Sequence, residues 1–373
     1  MKAFAGIIFV IFHVQCISAF VIERLDGESE LVSVAVLFRH GDKTPTTSFP
    51  NDPYFDLSYW PLGRGQLTNK GKKRHFDLGK WFRNRYSTFL PEEYSVKDIY
   101  VRSTDVDRTL MSAAANLAGL YPPKNSQIWN KILPWQPIPI HTIPTEEDQV
   151  LYMDSKCPKF TKLYDEAYSS EFFMNINKQY ADFYKEVSNF TGWDITDVHF
   201  FAQLQSALYV YENYNSSYLP SWADSLDQDK LNYLAGLNYA RYTFTRELKR
   251  LGVGPFFDNL FTRFDSVVNS TADSRKFLML SAHESTVASV LNSMGVFDYR
   301  APAFASCLIW ELRKSTNGVF YINLFYKKNS TDAVDILEVK SCGLNCAYDN
   351  YKSILKPITI DMATWKDECK LVE

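Results

Sequence analysis

The stretch Val34–Pro45 reads VAVLFRHGDKTP. It opens with five apolar residues, two of them β-branched valines, which is the composition of a strand buried on both faces. Arg39, His40, Asp42 and Lys43 follow at once around Gly41, and Pro45 ends the pairing. A buried strand that breaks into charge suits an open α/β sheet, where ligands bind beyond the carboxyl ends of the strands.

The same design recurs on either side. After Val34–Pro45, GQLTNKGKKRHFDLGKWFRNRYSTFL places Leu78, Trp81, Phe82, Tyr86 and Phe89 at helical spacing. DIYVRSTDVDRTLMSAAANLAGLYPP reads as a short strand, a polar turn and an Ala-rich helix stopped by Pro122-Pro123. KFLMLSAHESTVASVLNSMGV repeats strand, charged turn and helix, and CLIWELRKSTNGVFYINLFYKK reads as a hairpin about Asn317-Gly318. Strands alternating with helices predict an α/β fold with a mostly parallel central sheet flanked by helices. Residues 144–251 differ: segments such as EFFMNINKQYADFYKEVSNFTGW are helical, and they predict a smaller helical cap inserted between core segments 20–143 and 252–373.

Composition narrows the function. The chain has 373 residues, is 46% hydrophobic and 22% charged, and carries a formal net charge of −3. That balance, with no dense basic run, gives no reason to expect a nucleic-acid partner. Lys2 followed by AFAGIIFVIF and the small residues before Ala19 reads as a secretory signal peptide over 1–19, too short in its apolar run for a membrane anchor. Sequons at Asn189, Asn215, Asn269 and Asn329 agree with export and glycosylation. Removing Cys16 with the leader leaves Cys157, Cys307, Cys342, Cys346 and Cys369, an odd number in an oxidising compartment. Zinc at Cys342 and Cys346 has neither a second pair nor a nearby histidine to complete it.

Three predicted strand ends therefore carry unusual polar groups: Arg39 to Lys43, Arg102 to Asp105, and His283 to Ser285. Singly each has a bland reading. A histidine after a strand is commonly a hydrogen-bonded structural residue, RSTDVDRT could cap a helix through Thr104 or Asp105, and His283-Glu284 could be a surface pair. Together, if the strands are neighbours, they bring Arg39, Lys43 and Arg102 around two histidines and a carboxyl group, a cluster sized for phosphate.

LFRHGDKTP, WPLGRGQLTNKG, VRSTDVDRTLMSA, WQPIPIHTIP, LPSWA and SAHES occur in this order over nearly all of the chain. In them the chain resembles the histidine acid phosphatases. The resemblance implies the histidine phosphatase fold and a secreted, extracellular rather than lysosomal acid phosphatase. It would act on small phosphate monoesters without metal or other cofactor, with a homodimer as the candidate assembly. It makes His40 the nucleophile, forming a phosphohistidine, and Glu284 the proton donor. Arg39, Lys43, Arg102 and His283 would hold the phosphoryl oxygens, and Asp42 would pair with a nearby cation. It also implies the bridges Cys157–Cys369 and Cys342–Cys346, with Cys307 left as a free buried thiol. Two positions depart from the family pattern: Lys43 stands where Arg is usual, and Glu284 where Asp is usual. Lys loses the two-pronged grip of Arg. These departures keep a second reading open, a catalytically weak exported binder of phosphorylated ligands on the same scaffold. An intracellular phosphoryl mutase fits the leader and sequons poorly, and a phytase would want more Lys and Arg than is seen.

Overall fold

The computed structural model describes residues 29–152, 156–271, 275–328 and 333–371. The predicted leader and the Asn329 sequon lie outside them. In chain order the main elements are β1 (Ser29–Arg39), α1 (Asn69–Arg85), β2 (Ile99–Ser103), α2 (Asp107–Leu120), α3 (Pro158–Tyr168), α4 (Glu171–Gln179), α5 (Ala181–Thr191), α6 (His199–Tyr214), α7 (Gln228–Arg241) and α8 (Arg246–Val268). They continue with β3 (Phe277–Ala282), α9 (Glu284–Ser293), β4 (Cys307–Ser315), β5 (Phe320–Lys327), β6 (Asp335–Leu337), β7 (Cys346–Ala347), α10 (Tyr348–Leu355) and α11 (Met362–Glu368).

Strand β1 shows why the sheet is central. Its side chains alternate between faces, as the period of two requires. Val34, Val36 and Phe38 pack with Leu78, Phe82 and Leu117 of α1 and α2, whereas Ala35 and Leu37 pack with Phe256, Phe257 and Val287 of α8 and α9. Both faces are dry, so the continuous apolar run was the correct signature.

The strand order is β2-β3-β1-β4-β5-β6, with β7 beside β5. Here the expected mostly parallel sheet needs correcting. β2, β3 and β1 run parallel, but β4 is antiparallel to β1, and β5, β6 and β7 continue antiparallel. For β4 and β5 the cause is connection length. The Asn317-Gly318 turn joins β4 to β5 directly, with Gly318 at φ +87°, and a tight turn can only return antiparallel. The mixed sheet keeps its parallel half where it matters: Arg39 lies beside Ala282, and Arg102 and Ser103 beside Leu280 and Ser281. The three strand ends are therefore adjacent.

Helices α3 to α7 gather an apolar cluster of their own, including Phe183, Val187, Phe201, Leu204 and Leu234, and it takes in Trp60 and Phe304 from the sheet side. Cys157 and Cys369 are bonded, tying the start of α3 to the end of α11, and Cys342 is bonded to Cys346. Cys307 is buried and unpaired in β4.

Candidate active site

His40 continues β1 by one residue. Its N–H donates to the Ala282 carbonyl at 3.0 Å and its carbonyl accepts from Ala305 N–H at 3.1 Å, so the backbone on both sides fixes the ring. Nδ1 lies 2.8 Å from the Gly41 carbonyl. A carbonyl only accepts, so Nδ1 carries the proton and the lone pair of the neutral ring is on Nε2. Nε2 faces Glu284 Oε2 at 3.4 Å. Burial holds the His40 pKa well below that of an ordinary histidine, opposed by Glu284 and helped by the charges of Arg108 and Arg39. A ring of this kind stays a free base in mild acid.

Gly41 is required by a close approach. A Cβ there would stand 2.5 Å from the Gly71 carbonyl oxygen, and one on Gly71 would stand 2.4 Å from the Asp42 carbonyl oxygen. The two glycines let the loop after β1 cross the start of α1, where Thr68 caps the helix by accepting from Gly71 N–H. Asp42 pairs with Arg74 of α1 at 2.7 Å, a structural contact.

Cations ring His40. Arg39 is buried, with Nε 3.1 Å from Glu284 Oε2, Nη1 donating to the Pro302 carbonyl at 2.6 Å, and its guanidinium 4.3 Å from the centre of the Phe304 ring. Lys43 is buried as well, and its Nζ donates to Thr46 Oγ1 at 3.2 Å. Burial drives its pKa down to about 7, resisted by Glu284 and aided by Arg108 and Arg39. Burial alone would push Glu284 up, but Arg39, His40 and Lys43 outweigh it and hold the carboxyl well below the usual range.

The second predicted strand end does something different. Arg102 does not join the cluster; its Nη2 is ion-paired with the buried carboxylate of Asp148. Arg108 takes the place assigned to it. From the first turn of α2 its Nη2 donates to His283 Nδ1 at 3.3 Å, and its charge acts on His40, Lys43, His283 and Glu284. His283 Nε2 in turn donates to Thr104 Oγ1 at 3.0 Å, and its ring stands edge-on to His40 at 5.7 Å between centroids. Burial and the Arg108 charge lower the His283 pKa to about 3. A neutral His283 thus spends its lone pair on Arg108 and its proton on Thr104. No side chain caps α2, so the capping reading of Thr104 and Asp105 does not apply.

Sequence reasoning took the arginine on the strand and passed over the one a turn into the helix. A signal for Arg108 was present: a cation in the first turn of a helix opposes the macrodipole and so asks for a reason. His40, His283 and Glu284 also lie close enough together to grip a metal ion. With the charges of Arg39, Lys43 and Arg108 all acting on Glu284, the set suits an anion instead.

The family model of the histidine phosphatase superfamily (branch 2) matches residues 30–327. The chain belongs to that superfamily. Among curated proteins it is 38% identical over 345 residues to the lysosomal acid phosphatase of Xenopus laevis, covering 91% of this chain and 79% of that protein. It is 35% identical over 356 residues to the prostatic acid phosphatase of Bos taurus, covering 93% and 90%. The enzyme class comes with the family: an acid phosphatase, a phosphoric monoester hydrolase. Solved structures of phytases share the fold. That from Klebsiella sp. ASR1 has a TM-score of 0.66 at 15% identity and covers 93% of this chain and 100% of its own. That from Hafnia alvei has 0.67 at 14%, covering 93% and 99%.

Proposed function

We propose that this histidine phosphatase hydrolyses phosphate monoesters in acid by passing the phosphoryl group to His40 Nε2. The observation that carries the proposal is the Nε2 lone pair, met by no hydrogen-bond donor among the described residues, beside Glu284 and within the field of Arg39, Lys43 and Arg108. Beside Arg39 the Glu284 carboxyl is held as the anion. A phosphoryl dianion entering the site supplies that negative charge itself. The carboxyl is then pushed up in pKa by its new neighbour and takes a proton.

The step balances. The Nε2 lone pair forms the bond to phosphorus while the bond from phosphorus to the ester oxygen breaks. Glu284 gives its proton to the departing alcohol, and its carboxylate then takes a proton from the water that cleaves the phosphohistidine. Arg39, Lys43 and Arg108 balance the charge on the phosphoryl oxygens, the work that preorganised donors do best in a dry site. His283 fixes Arg108. No step calls on a metal.

Export belongs to the same proposal. It is supported by the predicted leader and by the exposure of the described sequon asparagines Asn189, Asn215 and Asn269. The test is hydrolysis by the purified protein of a panel of alkyl and aryl phosphates at pH 4–8 with EDTA present. Turnover in acid that survives EDTA is expected, and binding without turnover would give the site to a phospho-ligand binder.

A further inference from the structure

The Arg102–Asp148 pair lies outside the cation ring yet is one of the most buried ion pairs in the molecule. Asp148 does more than neutralise Arg102. Its Oδ1 also accepts from the N–H groups of Val150 at 3.1 Å and Leu151 at 3.0 Å, and its carbonyl accepts from Tyr152 N–H at 3.1 Å. One carboxylate therefore anchors the loop 148–152 to the end of β2.

That loop reaches the reacting groups at two points. The Leu151 carbonyl accepts from Thr286 Oγ1 at 2.8 Å, and Thr286 is fully buried in the first turn of α9, two residues after Glu284. The Tyr152 ring stands edge-on to His283 at 5.7 Å. The start of α9 has no cap of its own, because the His283 side chain, at the cap position, is turned to Thr104 and Arg108. The hydroxyl of Thr286 against the loop takes over that fixing role.

We infer that Arg102 and Asp148 are positioning residues, which place Glu284 for proton transfer by clasping the loop that holds the first turn of α9. The inference rests on the reading of Glu284 as the acid. It separates two uses of an arginine at a strand end. A phosphate ligand acts on anion affinity, whereas a clasp acts on the step that Glu284 serves. A displacement of about 1 Å of a reacting group can cost up to about 10²-fold in rate, and it should be felt most where the leaving group needs its proton.

The experiment compares Asp148→Asn, Arg102→Lys, Arg102→Met and Thr286→Val with the wild type. Readouts are kcat/KM on an alkyl phosphate and on p-nitrophenyl phosphate, and the inhibition constant of inorganic sulfate. Expected is a kcat/KM loss of about tenfold or more on the alkyl ester, with the loss on p-nitrophenyl phosphate and the change in sulfate inhibition both within about threefold. Arg102→Lys should retain more than Arg102→Met, because it keeps the charge. In a Glu284→Gln background the same substitutions should add no further leaving-group discrimination. If Asp148→Asn fails to fold, Thr286→Val carries the test, since it removes one hydroxyl and keeps the shape. Sulfate inhibition weakening in step with the rate loss would make Arg102 a phosphate ligand and overturn the clasp. Equal kcat/KM losses on both esters would overturn it too. Equal losses in Glu284→Gln itself would remove the acid assignment and the clasp with it. A leaving-group signature in Glu284→Gln that is absent from the clasp variants would remove the clasp alone.

Discussion

Raising the pH through neutrality should loosen the grip of this site on anions, and Lys43 is the reason. Arginine keeps its charge at every pH of interest, so Arg39 and Arg108 do not change. His283, at about 3, and His40, held low by burial, are already neutral. Glu284 is held as the carboxylate, and Tyr239, which feels its charge, is raised mainly by burial. Lys70 and Asp42 line the cavity that Lys43 borders, Lys70 holding Asn213 and Asp42 holding Arg74. Among the described residues the Lys43 ammonium has only the Thr46 hydroxyl as hydrogen-bond acceptor, and its pKa falls from 10.5 to about 7. A bound dianion favours the ammonium, so binding takes up a proton above that value. Affinity should fall by about tenfold per pH unit from about pH 7 upward. Two unit charges ~4 Å apart attract by ~4 kcal/mol at an effective dielectric near 20, which caps the loss at about a thousandfold. For folding the sign differs: a lysine with a depressed folded pKa costs stability below about pH 7, and the cost fades as pH rises toward 10.5. The assay is inhibition by sulfate, whose charge is constant over this range, from pH 5 to 9. Glu284 takes up a proton with the anion in both proteins, so above pH 7 wild type should lose affinity more steeply than Lys43→Arg, by up to about tenfold per pH unit. Parallel slopes in the two proteins would refute the reasoning.

Other outcomes follow from the same geometry. Arg108→Ala should lower kcat/KM by about 10²–10³-fold, as removing a preorganised donor does, and should weaken sulfate inhibition. Glu284→Gln should cost alkyl phosphates at least tenfold more than p-nitrophenyl phosphate, which leaves without help (about 10²–10⁴-fold being typical of general acids). Because burial keeps His40 a free base, kcat/KM down to pH 4.5 should show no acid limb beyond the ester's own second ionisation, which two esters of different pKa will check. The Cys157–Cys369 bridge spans 212 residues. Replacing both cysteines with serine should cost up to ~5 kcal/mol in chemical denaturation, whereas opening Cys342–Cys346 should cost far less.

What the sequence revealed, and what it hid, divides along physical lines. Short-range signals were readable: the apolar run of β1, the Asn317-Gly318 turn, and charge placed just after three strands. Each is a local pattern with a local cause. The sheet's mixed direction was hidden because β4, read alone, looks the same whichever way its neighbour runs. Arg102 was misplaced for a related reason. An arginine at a strand end points to the site only if nothing nearer claims it, and its claimant, Asp148, lies 46 positions along the chain. Arg108 entered the site through the fold of the β2–α2 turn, which spacing alone does not give. The close approach that requires Gly41 was equally invisible, since its partner Gly71 becomes a neighbour only when α1 packs under the loop.

The central claim is that His40 Nε2 takes the phosphoryl group. Purified enzyme mixed for milliseconds with ³²P-labelled phosphomonoester and quenched in alkali, where phosphohistidine survives, measures this directly. Peptide mapping should place the label on His40 alone, at a level that reaches a steady state within one turnover, and His40→Ala should neither label nor turn over. Turnover without label on His40, or turnover retained in His40→Ala, would contradict the claim.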